Sequence, residues 1–140
     1  IVLSGDTAAC AKANELCSER GHRATPLSVA GAFHSAHMQP AADGLAETLA
    51  GVGMERPACA TWSNVTASPH EADVDTIRLR LVEQLTSPVR WAEQCAEMVK
   101  AGYTDYTELA PGKVLRGLMR RINRDAKVTS HDEPDPSHAA

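Results

Sequence analysis

Short apolar runs alternate with amphipathic helical patterns along this chain of 140 residues, and that alternation restricts its fold more than any other feature. Strand-like runs are predicted at residues 1–4, 25–29, 58–62 and 103–109. Helical periodicity is predicted at 7–20, in a segment beginning near Pro40, at 73–85, from Trp91 towards Gly102 and from Val114 onward. Strands that alternate with helices are typical of α/β proteins. The sequence therefore predicts an α/β fold.

Composition and charge exclude several classes of function. The net charge of −4 argues against general nucleic-acid binding, and no apolar stretch approaches the roughly 20 residues that span a bilayer. Cysteine usage indicates the compartment, because none of Cys10, Cys17, Cys59 and Cys95 forms a Cys-x-x-Cys pair. We expect four reduced thiols in a cytoplasmic protein rather than disulfides.

A histidine in the short stretch Gly31–Ser35 is the first candidate for chemistry, because His34 follows an apolar run and precedes a helix start. A histidine delivered onto a short loop can act as a general base, although an ordinary loop histidine remains open from these residues alone. The chain contains no Gly-x-Ser-x-Gly motif, so the nucleophile for such a base is expected outside it. His34 and His37 lack further ligands at fitting spacing, so no metal site is predicted.

Four groups of residues carry a family resemblance. They are Val2–Gly5; Ala32–Ser35 with Met38–Pro40; Ser63–Ala67; and Gln84–Trp91 followed by Glu108–Leu115. In order and spacing, from residue 1 to about residue 123, they resemble the C-terminal half of the malonyl-CoA:acyl-carrier-protein transacylases. Ala110 departs from the pattern, since the family often has glycine there.

The resemblance implies an α/β-hydrolase-like acyltransferase core that carries a small ferredoxin-like subdomain. Residues 1–29 would be the second half of the ferredoxin-like subdomain, and residues 30–124 would be the C-terminal part of the large core. Residues 125–140 lie beyond the resemblance. Their polar composition predicts a disordered tail.

The resemblance also implies an activity, the transfer of malonyl from coenzyme A to the phosphopantetheine thiol of acyl carrier protein in fatty-acid synthesis. His34 would be the base of a ping-pong Ser-His mechanism, and the backbone carbonyl of Gln84 would orient its ring. The family's serine, oxyanion-hole glutamine and malonate-binding arginine are expected upstream of this sequence. Malonyl-CoA is a substrate, and no cofactor is expected.

Two further residues are candidates for substrate binding. Phe33 matches the Ala-Phe-His form of malonyl-selective acyltransferases, where Ala-Ser-His accompanies methylmalonyl selectivity. A bulky ring can fill the volume that an α-methyl group needs. Asn64 follows a strand-like run and could order loops of the site, although a simple turn residue is the stronger interpretation.

The last helical segment carries a cluster of positive charge without a negative one, at Lys113, Arg116, Arg120, Arg121 and Arg124. The first four are predicted to dock an acidic acyl carrier protein. A solvated face with cations near the helix C-terminus explains the same pattern equally well.

Other functions remain open at this point. The chain could be a non-catalytic fragment or a carrier-protein-binding module. It could also derive from an acyltransferase of the polyketide-synthase type, or from a hydrolase of the same fold.

Overall fold

The computed structural model describes residues 1–71, 73–109 and 111–131. The helices are α1 (Thr7–Glu19), a 3-10 turn (Ala36–Met38), α2 (Gln39–Ala50), α3 (Val74–Glu83), α4 (Trp91–Lys100) and α5 (Val114–Ile122). The strands are β1 (Trp62–Ser63), β2 (Ser68–Pro69), β3 (Asp105–Glu108) and β4 (Lys127–Ser130). The predicted α/β class is therefore confirmed. The chain divides into two compact units, one of residues 1–65 and 69–89 and one of residues 66–68 and 90 onward.

Helices dominate the first unit. Asp6 caps α1, because its carboxylate accepts a hydrogen bond from the Ala9 amide at 2.8 Å. The helix α2 begins with Pro40 in its first turn, where the missing N–H costs nothing, and packs against α3. Ala42 of α2 and Ile77 of α3 are the buried apolar residues of that pair. Arg78 adds a hydrogen bond of 2.7 Å to the Val52 carbonyl beyond the end of α2.

A β-α-β arrangement organises the second unit. Strands β3 and β4 pair in parallel, with Asp105 opposite Lys127 and Glu108 opposite Ser130, and α5 connects them. The helix α5 packs against both α4 and β4. Apolar Cys95 and Met119 are buried here together with the polar side chains of Gln94 and Glu108.

The helix predictions are confirmed to within a few residues, but the strand predictions are mostly wrong. Residues 1–4 and 25–29 form no strand, and Val2, Leu3 and Val29 remain 75%, 67% and 62% exposed. A strand requires a neighbour that bonds its backbone, and no described residue pairs with either run. Of residues 58–62, only the last belongs to β1.

The predicted tail needs a correction as well. Residues 127–130 form β4 instead of a disordered segment, because β3 supplies a pairing edge and Val128 lies opposite Tyr106. The rest of that prediction, residues 132–140, lies outside the described residues. Across the described ranges, we find no helix that is long and apolar enough to cross a membrane.

Candidate active site

His34 sits in a loop whose backbone is fixed by its own neighbours. The Ser35 hydroxyl donates to the Ala32 carbonyl at 2.6 Å and accepts from the His37 amide, which begins the 3-10 turn. Between these contacts the backbone of His34 has a φ of +60°, in the left-handed region that few non-glycine residues adopt. Such conformations persist where surrounding contacts enforce them, and they cluster at functional sites.

Two consecutive carbonyls at the end of α3 hold His34. Its ring Nδ1 lies 2.9 Å from the Gln84 carbonyl oxygen, and its backbone amide donates to the Leu85 carbonyl at 3.0 Å. Because a carbonyl can only accept a hydrogen bond, Nδ1 must carry the proton. In the neutral ring, Nε2 then keeps its lone pair and is the nitrogen that can take a proton from a substrate or nucleophile.

The position of those carbonyls depends on α3. Asp73 caps the helix, accepting from the Thr76 amide and hydroxyl at 2.8 Å each. The hydrogen bonds from Thr76 lower the pKa of Asp73, so the cap is an ionised carboxylate near neutral pH. Arg80 and Glu83 form an ion pair of 2.6 Å in the last turn, immediately before Gln84.

The structure brings His34 and Gln84 together across 50 positions of sequence. Phe33 is adjacent to His34 and 47% exposed. Asn64 is half-buried in the turn after β1, where the Ser63 hydroxyl accepts from the Val65 amide. Sequence reasoning missed the contribution of Leu85. The signal for it is general, because the last carbonyls of a helix lack partners within the helix.

Two other nucleophilic side chains, Ser35 and Cys95, are poorly placed for attack. The Ser35 hydroxyl is committed to the Ala32 carbonyl. Cys95 is 3% exposed, and burial raises the pKa of its thiol, which disfavours the reactive thiolate. Within the described residues, no group of three or more His, Cys, Asp or Glu side chains could hold a metal ion.

The second unit contains a buried carboxylate that the sequence did not reveal. Glu108 is 4% exposed and accepts hydrogen bonds from the Leu115 amide at 2.8 Å, the Arg116 amide at 3.3 Å and the Ser130 hydroxyl at 2.8 Å. Burial alone raises the pKa of Glu108, but these three donors and the nearby Arg116 charge outweigh it, so the pKa lies below its ordinary value. Glu108 thus caps α5 and fastens it to β4.

A cationic cavity of about 260 Å³ also lies in the second unit. Among the described residues, its charged lining consists of Arg116, Arg120, Arg124 and Lys127, without a carboxylate. Arg116 and Arg120 belong to the predicted docking cluster, whereas Lys113 and Arg121 are outside this lining. The structure thus groups two of the four predicted cations with two others.

Comparison with known proteins identifies the relatives of this chain. No protein-family model matches it. It is 40% identical over 136 residues to the malonyl CoA-acyl carrier protein transacylase of Bacillus subtilis, covering 96% of this chain and 43% of that protein. The crystal structure of malonyl-CoA:acyl carrier protein transacylase from Xanthomonas oryzae superposes with a TM-score of 0.88 at 37% identity, covering 93% of this chain and 41% of that one. The chain is homologous to part of the malonyl-CoA:acyl carrier protein transacylases.

A further transacylase structure carries a partner. It is a malonyl-transacylase solved in complex with an acyl-carrier protein of a type II polyketide synthase. It matches with a TM-score of 0.87 and 35% identity, covering 93% of this chain and 42% of that one. This transacylase homologue therefore spans less than half the length of the relatives it matches.

Proposed function

We propose that this chain is part of an acyltransferase that moves malonyl from coenzyme A to the phosphopantetheine thiol of acyl carrier protein. The homologues named for this activity support the reaction class. The observation that carries the proposal is the 2.9 Å contact between His34 Nδ1 and the Gln84 carbonyl, which leaves Nε2 as the basic nitrogen. An oriented imidazole of this kind is what an acyl-transfer base requires.

The proposed mechanism is ping-pong. Nε2 of His34 takes the proton of a serine hydroxyl as that oxygen attacks the malonyl thioester; the serine lies in a part of the enzyme outside this sequence. The coenzyme A thiolate leaves and receives the proton from His34. His34 then takes the proton of the carrier's phosphopantetheine thiol, whose sulfur attacks the malonyl-serine ester. The ester bond to the serine oxygen breaks, and that oxygen receives the proton from His34, which restores the free enzyme. The Gln84 carbonyl keeps the ring in one tautomer and stabilises the transient imidazolium.

The finer architecture belongs to the same proposal. Residues 1–29 are part of a small ferredoxin-like subdomain, and residues 30–124 are part of an α/β-hydrolase-like core. Phe33 forms the wall of the malonyl pocket that leaves no room for an α-methyl group, and Asn64 orders the loops beside it. The reaction requires no cofactor, and the enzyme is cytoplasmic.

Carrier docking is assigned to Lys113, which precedes α5, and to Arg116, Arg120 and Arg121 within it. The cationic cavity supports this assignment, since it gathers Arg116 and Arg120 on one concave surface whose described lining contains no acidic residue. Carboxylates of an acidic partner would be attracted there, and the attraction would weaken as salt rises. Arg124 and Lys127 extend the docking surface.

A polyketide pathway is the second candidate for the same chemistry. It is favoured by one observation, the match to a transacylase solved with a carrier protein of a type II polyketide synthase. The two pathways differ in the carrier that accepts malonyl, so they separate in a direct comparison of kcat/KM for a fatty-acid carrier and a polyketide carrier.

The experiment that tests the proposal is malonyl transfer to holo acyl carrier protein, read as the mass of the carrier, with the complete enzyme that contains this sequence. His34→Ala should lower kcat at least about 100-fold, because general-base catalysis contributes about 10²–10⁴-fold. His37→Ala is the matched control, since His37 is an exposed histidine three residues away and should retain near-normal activity. Wild-type activity with an undiminished His34→Ala variant would refute the assignment. Absence of transfer by the wild-type protein would favour a non-catalytic carrier-binding module.

A further inference from the structure

The hydrogen bonds at the end of α3 stop at a defined residue. The Gln84 amide donates to the Arg80 carbonyl at 3.1 Å, and the Ser87 amide donates to the Glu83 carbonyl at 3.0 Å. Both bonds have the i to i−4 spacing of an α-helix, although α3 itself ends at Glu83. Between them the Leu85 and Thr86 amides donate with i to i−3 spacing, to the Val82 carbonyl at 3.1 Å and the Glu83 carbonyl at 3.2 Å. An amide at position 88 that continued the spacing of the Ser87 bond would donate to the Gln84 carbonyl.

Residue 88 is a proline, which has no N–H. A proline also disfavours helical backbone at the residue before it, here Ser87. The Gln84 carbonyl therefore has no backbone amide four residues ahead that could donate to it. The same carbonyl receives the His34 ring at 2.9 Å.

From this coincidence we infer that Pro88 is a positioning residue for His34, a role that rests on the catalytic function proposed above. Pro88 touches no reacting atom. It removes the backbone donor that would compete for the Gln84 carbonyl, and it ends the helix so that the following carbonyl, Leu85, is left for the His34 amide. Its ring is exposed, so it contributes little to the packed interior.

The test is Pro88→Ala in the complete enzyme, with Pro26→Ala as the matched control. Pro26 is an exposed proline of the same unit and lies outside any helix or strand. Its replacement therefore also adds an N–H and raises the conformational entropy of the unfolded chain. Pro88→Ala should lower kcat for malonyl transfer about threefold to tenfold and leave the KM for malonyl-CoA within twofold. Pro26→Ala should change neither.

Two readouts do not depend on turnover. Hydrogen exchange should show a protected amide at position 88 in Pro88→Ala, which is the competing hydrogen bond itself. Nitrogen-15 NMR of the histidine rings should show a mixture of tautomers for His34 where the wild type has the proton on Nδ1. The midpoint temperature of thermal unfolding should fall no further for Pro88→Ala than for Pro26→Ala, because Pro88→Ala gains a helical hydrogen bond. Pro88→Gly should give a smaller effect in each readout, since glycine propagates a helix poorly.

The possible outcomes distinguish failure of the Pro88 inference from failure of the proposed function. Normal kcat with a protected amide at position 88 would overturn the inference, as would an unprotected amide with an unchanged His34 tautomer. An equal loss of kcat in Pro26→Ala would assign the effect to general loosening of the chain and also overturn it. Lack of transfer by the wild-type enzyme would refute the proposed function instead, while the NMR and exchange readouts would still decide whether Pro88 controls the His34 ring.

Discussion

Truncation of the Gln84 side chain separates a backbone role from a side-chain role at the candidate site. The atom that faces His34 Nδ1 is the main-chain oxygen of Gln84, and the change Gln84→Ala leaves that oxygen in place. Alanine is also a good helix former, so α3 should keep its C-terminal turn. We expect kcat for malonyl transfer to fall no more than about threefold, since the contacting oxygen is unchanged and truncation of a half-buried turn side chain costs about 1 kcal/mol of stability.

A second substitution at the same position should displace the carbonyl itself. Gln84→Pro removes the amide that donates to the Arg80 carbonyl at 3.1 Å, and the ring clashes with that carbonyl, at a cost of about 3 kcal/mol. Loss of the Nδ1 hydrogen bond alone is worth about 0.5–1.5 kcal/mol, which corresponds to about twofold to thirteenfold in rate. The loss of kcat should therefore be smallest for Gln84→Ala, larger for Gln84→Pro and largest for His34→Ala.

The assay is steady-state transfer to holo carrier protein under saturating malonyl-CoA, with circular dichroism and thermal unfolding of each variant at the assay temperature. Unfolding data correct the Gln84→Pro rate for any unfolded fraction, and the Gln84→Ala rate needs no such correction if its unfolding midpoint is unchanged. A collapse of kcat in a folded Gln84→Ala enzyme to the level of His34→Ala would show that the amide side chain does the orienting. That result would refute the reasoning from the backbone contact.

Three further predictions concern the pocket wall, the buried carboxylate and the docking surface. Phe33→Ser should raise kcat/KM for methylmalonyl-CoA relative to malonyl-CoA by about 10–200-fold, the range for one methyl group, and an unchanged ratio would remove Phe33 from the selectivity pocket. The pKa of Glu108 lies below its ordinary value of 4.5, so its contribution to the free energy of unfolding should be complete above pH 4.5 and lost as the pH falls further. Glu108→Gln should flatten this pH dependence of stability in acid unfolding, and an unaltered profile would contradict the prediction. Arg120→Glu should raise the KM for the carrier about tenfold, with little change in the KM for malonyl-CoA and a weaker salt dependence. Arg121 lies outside the cavity lining, so Arg121→Glu should raise the KM for the carrier less than Arg120→Glu does. Equal effects of the two variants would argue against the cavity as the docking site.

The helices of this chain could be predicted from sequence because their signals are local. The pattern at 7–20 corresponds to Thr7–Glu19, and the pattern at 73–85 corresponds to Val74–Glu83, with Asp73 capping as its side chain permits. Strands lack such self-sufficient signals, since the partner strand supplies half of the hydrogen bonds. The apolar run at 1–4 has no partner among the described residues, whereas the nearly polar Lys127–Ser130 becomes a strand beside β3.

The contact between His34 and Gln84 joins residues 50 positions apart, which no spacing rule predicts. The family resemblance supplied that pair. The environment of Glu108 was unpredictable for another reason. An acidic residue in a short strand normally faces water. Here the N-terminus of α5 and the Ser130 hydroxyl provide three hydrogen-bond donors that offset the desolvation of the buried carboxylate.

The dependence of the site on α3 has a geometrical consequence. His34 is attached to two adjacent carbonyls at the end of that helix, one through its ring and one through its backbone. Each residue of an α-helix turns the backbone by about 100°, so an insertion or deletion within α3 would redirect both carbonyls at once. The cap at Asp73 and the buried Ile77 lie far from His34 in sequence, yet they fix the start and the packed face of the helix that ends at Gln84. Stability of α3 and orientation of the candidate base are therefore one structural property, and substitutions in the helix should affect kcat through the position of its terminal carbonyls.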